Sequence, residues 1–162
     1  MTPERPFGCP GVPCHPQDRW LGEVELGILD LGVLAILRAF LQTFSDPASQ
    51  GWKAAFATGR QIEAPSGPDV ALGVLEALET MRRARVSTFR FSNPACLSCA
   101  AILSEHERRF VLVFRGLRLG HRSEALTHAM LLCEGNDTGP FIAALERLVE
   151  QVEPDHEAAR SG

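Results

Sequence analysis

The sequence predicts an all-α protein: a single compact domain of about six helices, with a Pro-rich N-terminal segment and one extended connector. Three observations carry this expectation. Apolar residues recur at three- and four-residue spacing in successive segments. Capping residues, prolines and glycines punctuate those segments where helices start and stop. Only one short stretch, residues 86–92, is rich in strand-forming residues, and it has no second clear strand to pair with. A chain of 162 residues, 45% hydrophobic, suits one domain with a core that needs no staple. The expected layout is a Pro-rich segment over 1–19, a helical domain over 20–152 and a frayed tail over 153–162.

Residues 1–19 contain five prolines with Gly8 and Gly11, so no helix is expected there. A long helix follows from about Gly22 to Phe44. Leu26, Leu29, Val33, Leu34, Leu37, Phe40, Leu41 and Phe44 form its inner stripe. Val24, Ile28, Leu31 and Ile36 widen that stripe around most of the circumference. Such a helix is either central in the core or covered by a partner chain, which leaves a homodimer open. Asp46 and Pro47 then suit the start of a second helix and Gly59 its exit. A third helix is expected over about Pro68–Ala84, with Val70, Val74, Leu78 and Met81 inward. "VSTFRFS", residues 86–92, is read as the extended connector.

Ser104 and Glu107 form a Ser-x-x-Glu capping box, opening a fourth helix over about 105–118 with Phe110, Val111, Phe114 and Leu117 inward. A fifth spans about 122–134, with Leu126, Ala129, Met130 and Cys133 facing the core. Asp137 or Thr138 is placed to cap a sixth that ends near Val152.

Charge is distributed unevenly. The net charge is −4 overall, but −5 over residues 1–81, +7 over 82–122 and −6 over 123–162. The first reading is mutual neutralisation within the fold. The second is a surface of Arg108, Arg109, Arg115, Arg118 and Arg122 that meets an acidic protein partner. Overall acidity argues against a general nucleic-acid binder. The N-terminus has no apolar leader run. The most hydrophobic stretch, 24–44, is interrupted by Glu25, Asp30, Arg38 and Gln42, so no membrane span is expected. A cytoplasmic protein with reduced cysteines follows.

The chemistry-bearing pattern is Cys96-x-x-Cys99, a half-site for zinc or an iron–sulfur cluster. Cys9 and Cys14 in the Pro-rich segment would complete an all-thiolate set. His128 with Cys133 is a poorer completion, because the two lie about 140° apart around one helix. His106 or His121 is a third source of ligands. Cys96 and Cys99 admit two geometries, a tight turn or one face of a short helix 94–103 begun by Asn93-Pro94. The helix geometry would suit a dithiol–disulfide pair, although the βαβ setting usual for that chemistry is missing. "SEHERRF" reads as a solvated helix start. The two helices around Gly120 also suit a helix-turn-helix, but any antiparallel helical hairpin looks alike at this level. No nucleotide-binding or hydrolase motif occurs. The expectation is therefore a small accessory, assembly or regulatory protein acting by protein–protein binding, with a cysteine-ligated metal. A thiol redox module is the first alternative and a DNA-binding regulator the second.

Overall fold

A computed structural model describes residues 11–62 and 67–153, and these residues are mostly helical. In chain order they form β1 (Arg19–Trp20), a 3-10 turn (Leu21–Glu23), α1 (Ile28–Ser45), a second 3-10 turn (Pro47–Ser49), α2 (Gly51–Gln61) and α3 (Gly67–Ala84). The one-turn α4 (Leu97–Ala100), β2 (Ile102–Leu103), α5 (Glu105–Leu119), α6 (Arg122–Leu132) and α7 (Gly139–Val152) follow. The main packing pairs are α1 with α2, α3 with α7 and α5 with α6.

The predicted inner faces of α3 and α5 are fully used. Val70, Val74, Leu78 and Met81 are buried, as are Phe110, Val111, Phe114 and Leu117. Phe110 and Phe141 meet at 5.4 Å between ring centroids, joining α5 to α7. The fifth expected helix turns slightly differently. Ala125, Ala129, Leu132 and Cys133 go inward, whereas Met130 is left exposed.

Two boundaries differ from expectation for local reasons. The first long helix starts at Ile28, not near Gly22, because Gly27 holds extended backbone at the N-cap. Its N–H donates to Asp30 Oδ2 at 2.9 Å, which fixes the first turn at that point. The second expected helix is split. Asp46 caps, but it caps the 3-10 turn through Ala48 N. Gln50 then takes a left-handed conformation, φ 52°, and α2 begins at Gly51. Gly51 lets α2 approach the backbone of α1 closely: a Cβ there would lie 2.4 Å from Ala39 O. Gly59 lies buried inside α2 and does not end it.

By length and composition α1 is apolar enough to cross a membrane, with a mean hydropathy of 1.6, but half of that window is buried inside the protein. The charges that interrupt it are both buried and paired. Asp30 meets Arg118 at 3.3 Å, and Arg38 meets Glu107 at 2.7 Å. Arg115 adds a longer contact to Asp30, and Arg118 also reaches Glu153. Arg122 pairs with Glu146, and Arg147 with Glu76. Arg118 and Arg122 of the basic centre thus neutralise acids from both flanks, and the Arg147–Glu76 pair joins one flank to the other.

Candidate metal centre and the cysteine turn

The connector and the N-terminal segment meet on one side of the bundle. Residues 85–96 run without regular structure and end in a turn where Cys96 N donates to Asn93 O. Cys96 is the N-cap of α4, and its Sγ accepts from Cys99 N at 3.4 Å. This lies between the two geometries open in the sequence, since Cys96 caps a one-turn helix and Cys99 stands inside it. The longer 94–103 helix does not form, because Ile102 and Leu103 leave it to pair as β2. That pairing is antiparallel to β1, Arg19 opposite Leu103 and Trp20 opposite Ile102, with Leu21 N donating to Ala101 O at 2.8 Å. The strand partner that the sequence lacked for residues 86–92 is thus supplied by the N-terminal segment, but to residues 102–103.

A buried polar network holds this junction. Glu107 and Arg38 form a bidentate pair, Arg38 Nε to Oε1 at 2.7 Å and Nη2 to Oε2 at 3.1 Å. The remaining guanidinium capacity goes to Ala100 O and Ile102 O. The carboxylate also accepts from Ser92 N at 3.0 Å and Ser104 N at 2.8 Å. Ser92 Oγ donates to Ile102 O, and Ser104 Oγ donates to Arg90 O. One ion pair therefore satisfies backbone groups on both sides of the cysteine turn, as burial requires. The capping box predicted from Ser104 and Glu107 is present. The solvated helix start expected over "SEHERRF" is not, because Glu107 is 0% exposed.

His106 belongs to the same framework. Its Nδ1 accepts from Arg90 N at 2.8 Å, and its ring packs against Phe89. Burial, reinforced by Arg85 and Arg90, lowers its pKa to about 4. The unfolded chain binds that proton near pH 6.5 and the folded chain only near pH 4, so stability should fall as pH drops through this window. After discounting for solvent screening, the expected loss is on the order of 1–2 kcal/mol. Denaturant titrations at pH 4.5 and 7 should show a smaller difference for His106→Asn than for the parent.

The cysteines are placed separately. Cys99 is buried and disulfide-bonded. Cys14, Cys96 and Cys133 carry thiols, so Cys96 and Cys99 are not bonded to each other. A disulfide sulfur is no thiolate ligand, and metal binding by Cys99 requires its reduction. Cys9 lies outside the described residues. Cys133 is in the core, where burial pushes its thiol pKa up. His128 faces Arg109 and Glu124, and burial followed by Arg109 lowers its pKa. His121 is exposed, near Glu124.

Among the described residues, one group of three metal-ligating side chains converges: Cys14, His15 and Asp18, with ligand atoms all within 4.8 Å of one another. The sequence pattern pairs Cys14 with other cysteines and gives Asp18 no role. The i, i+1, i+4 spacing of the three was the available signal, but only the turn that brings them together gives it meaning. Asp18 N donates to His15 O at 3.0 Å, closing that turn.

The five arginines proposed as a partner surface have internal contacts. Arg109 pairs with Glu105 at 2.8 Å, and Arg108 reaches Gln17. Arg115, Arg118 and Arg122 hold Asp30, Glu153 and Glu146 as described above. An apolar groove of about 450 Å³ opens beside the cysteine turn, lined by Leu31, Leu34, Ala35, Ala54, Pro94 and Ala100 among others.

The fold and junction define an all-α domain whose N-terminal segment is laid across a cysteine turn. No family model matches the chain, and no curated protein or solved structure shows significant similarity to it.

Proposed function

We propose that this is a small accessory or regulatory protein that acts by binding another protein. Its N-terminal segment is fastened beside the binding surface by a cysteine-ligated metal, zinc or an iron–sulfur cluster. Cys14 is the ligand from the segment; the thiolate set read from the sequence, Cys9, Cys96 and Cys99, is the alternative completion, with Cys99 available only once its disulfide is reduced. The carrying observation is the open apolar groove between α1, α2 and residues 94–100. It lies next to the junction that the Arg38–Glu107 network makes rigid. Leu31 at its edge is 41% exposed, Ile28 one turn away is 89% exposed and Leu97 on α4 is 90% exposed. An apolar groove with exposed apolar residues on the elements that flank it suits an apolar segment of a partner. The arginines contribute less to this reading, because their charges already have acceptors inside the protein.

Ala54 tests it, since it lines the groove from the exposed side of α2. A partner recovered with the parent protein, then purified, should bind the Ala54→Arg variant at least tenfold more weakly, with the helical circular dichroism unchanged. Equal binding by the two proteins would sink the groove as the binding surface.

A further inference from the structure

The structure assigns a zinc-type divalent metal site to Cys14 Sγ, the His15 imidazole and the Asp18 carboxylate. This inference rests on the reading that a metal fastens the N-terminal segment, and it names the ligand set. The three donor atoms lie within 4.8 Å of one another. Ligands of a tetrahedral zinc stand about 3.5 Å apart, given bonds of about 2.0–2.3 Å. The remaining contraction falls on Cys14 and His15, both exposed and able to change rotamer.

Asp18 is the built part of the site. It is 7% exposed. Its Oδ1 accepts from Glu105 N at 3.1 Å and from Arg90 Nη1 at 3.2 Å. Among the described residues its Oδ2 has only the longer Arg90 contact, 3.3 Å, which leaves lone-pair capacity for an ion. A carboxylate oriented by hydrogen bonds from behind is the usual support of a ligating one. The turn between His15 and Asp18 is closed by backbone and braced by Arg19, whose Nη1 donates to Pro16 O and Asp18 O. One sulfur, one imidazole nitrogen and one carboxylate oxygen form a borderline donor set that suits zinc. An iron–sulfur cluster asks for more thiolates. Arg90 shares the Asp18 charge, so affinity should be lower than that of an all-thiolate structural site.

The consequence is mechanical. Asp18 is bonded to the first turn of α5 and to the connector through Arg90. An ion bridging it to Cys14 and His15 extends the hold on the N-terminal segment from the β1–β2 pair towards its beginning. Three protein ligands leave a fourth position for water.

Cobalt(II) titration of the full chain, stripped of metal and kept reduced, reads both stoichiometry and ligand type. One equivalent should bind with tetrahedral visible bands and thiolate-to-cobalt absorption of single-thiolate intensity. His15→Ala, an exposed position, should weaken binding at least tenfold with the fold intact, and Asp18→Asn likewise. The Cys96→Ser/Cys99→Ser double variant should bind as the parent does. Absorption of three or four thiolates, or loss in the double variant with retention in His15→Ala, would overturn this ligand set while leaving a metal-fastened segment. No stoichiometric binding of cobalt or zinc by the parent would overturn both.

Discussion

Replacing Glu107 with alanine is expected to cost about 3–5 kcal/mol of folding stability, the range for removing one partner of a buried ion pair. Arg38, 5% exposed, would be left with a buried charge whose remaining acceptors are two carbonyls. Ser92 N and Ser104 N would lose their acceptor as well. In a domain of this size the thermal midpoint should drop by roughly 10–15 °C. Glu107→Gln should fall between, because an amide keeps one acceptor oxygen but turns its NH2 towards an N–H or the guanidinium. A double variant, Arg38→Met/Glu107→Leu, removes both charges and should recover part of the loss. It should not recover all of it, because Ala100 O and the two serine N–H groups lose their partners, and Ile102 O keeps only Ser92 Oγ of its two side-chain donors. Thermal and denaturant unfolding of the four proteins measures this. A Glu107→Ala loss below 1 kcal/mol would mean that the network does not hold the junction.

Gly51→Ala should cost about 3 kcal/mol, at the upper end for overpacking. The added Cβ would meet Ala39 O at 2.4 Å and Thr43 Oγ1 at 3.0 Å. The nearest atom is backbone in the middle of α1, so no side-chain rotation relieves the clash and the two helices must separate. Gly120→Ala offers a contrast. A Cβ there meets nothing within 4 Å, but the residue caps α5 at φ 79°, so its cost is left-handed strain alone, about 1–2 kcal/mol. If Gly51→Ala is no more destabilising than Gly120→Ala in denaturant titration, the close contact of α1 and α2 is wrong.

The helices were legible because their signals are local. The capping box at Ser104 and Glu107, the stripes of α3 and α5, and the end of α7 at Val152 each depend on residues within a turn or two of one another. The start of α1 was misplaced because the apolar stripe continues through Val24 and Leu26 into a segment that stays extended. The periodicity is the same whether or not those residues are helical, and the Asp30–Gly27 contact decides. The split before α2 was hidden because Asp46 and Pro47 open a 3-10 turn with the same residues that open an α-helix. Met130 is expected inward beside Ala129, but it lies about 100° further round α6 and falls off the buried face of Ala125, Ala129 and Leu132.

The candidate site divides along the same line. Sequence alone marked the cysteine pair, the Pro-rich segment and the acidic–basic–acidic charge pattern, since residue type and spacing carry them. It could not show that Cys14 stands with His15 and Asp18, nor that Arg38 crosses 69 residues to Glu107. Such partners are chosen by packing. Burial removes water as the competitor for every polar group, and each carboxylate and guanidinium then takes whichever partner the assembled helices bring within reach. Local pattern therefore set the helices of this chain, and the strand pair and buried ion pair that join segment to body came from the assembled fold.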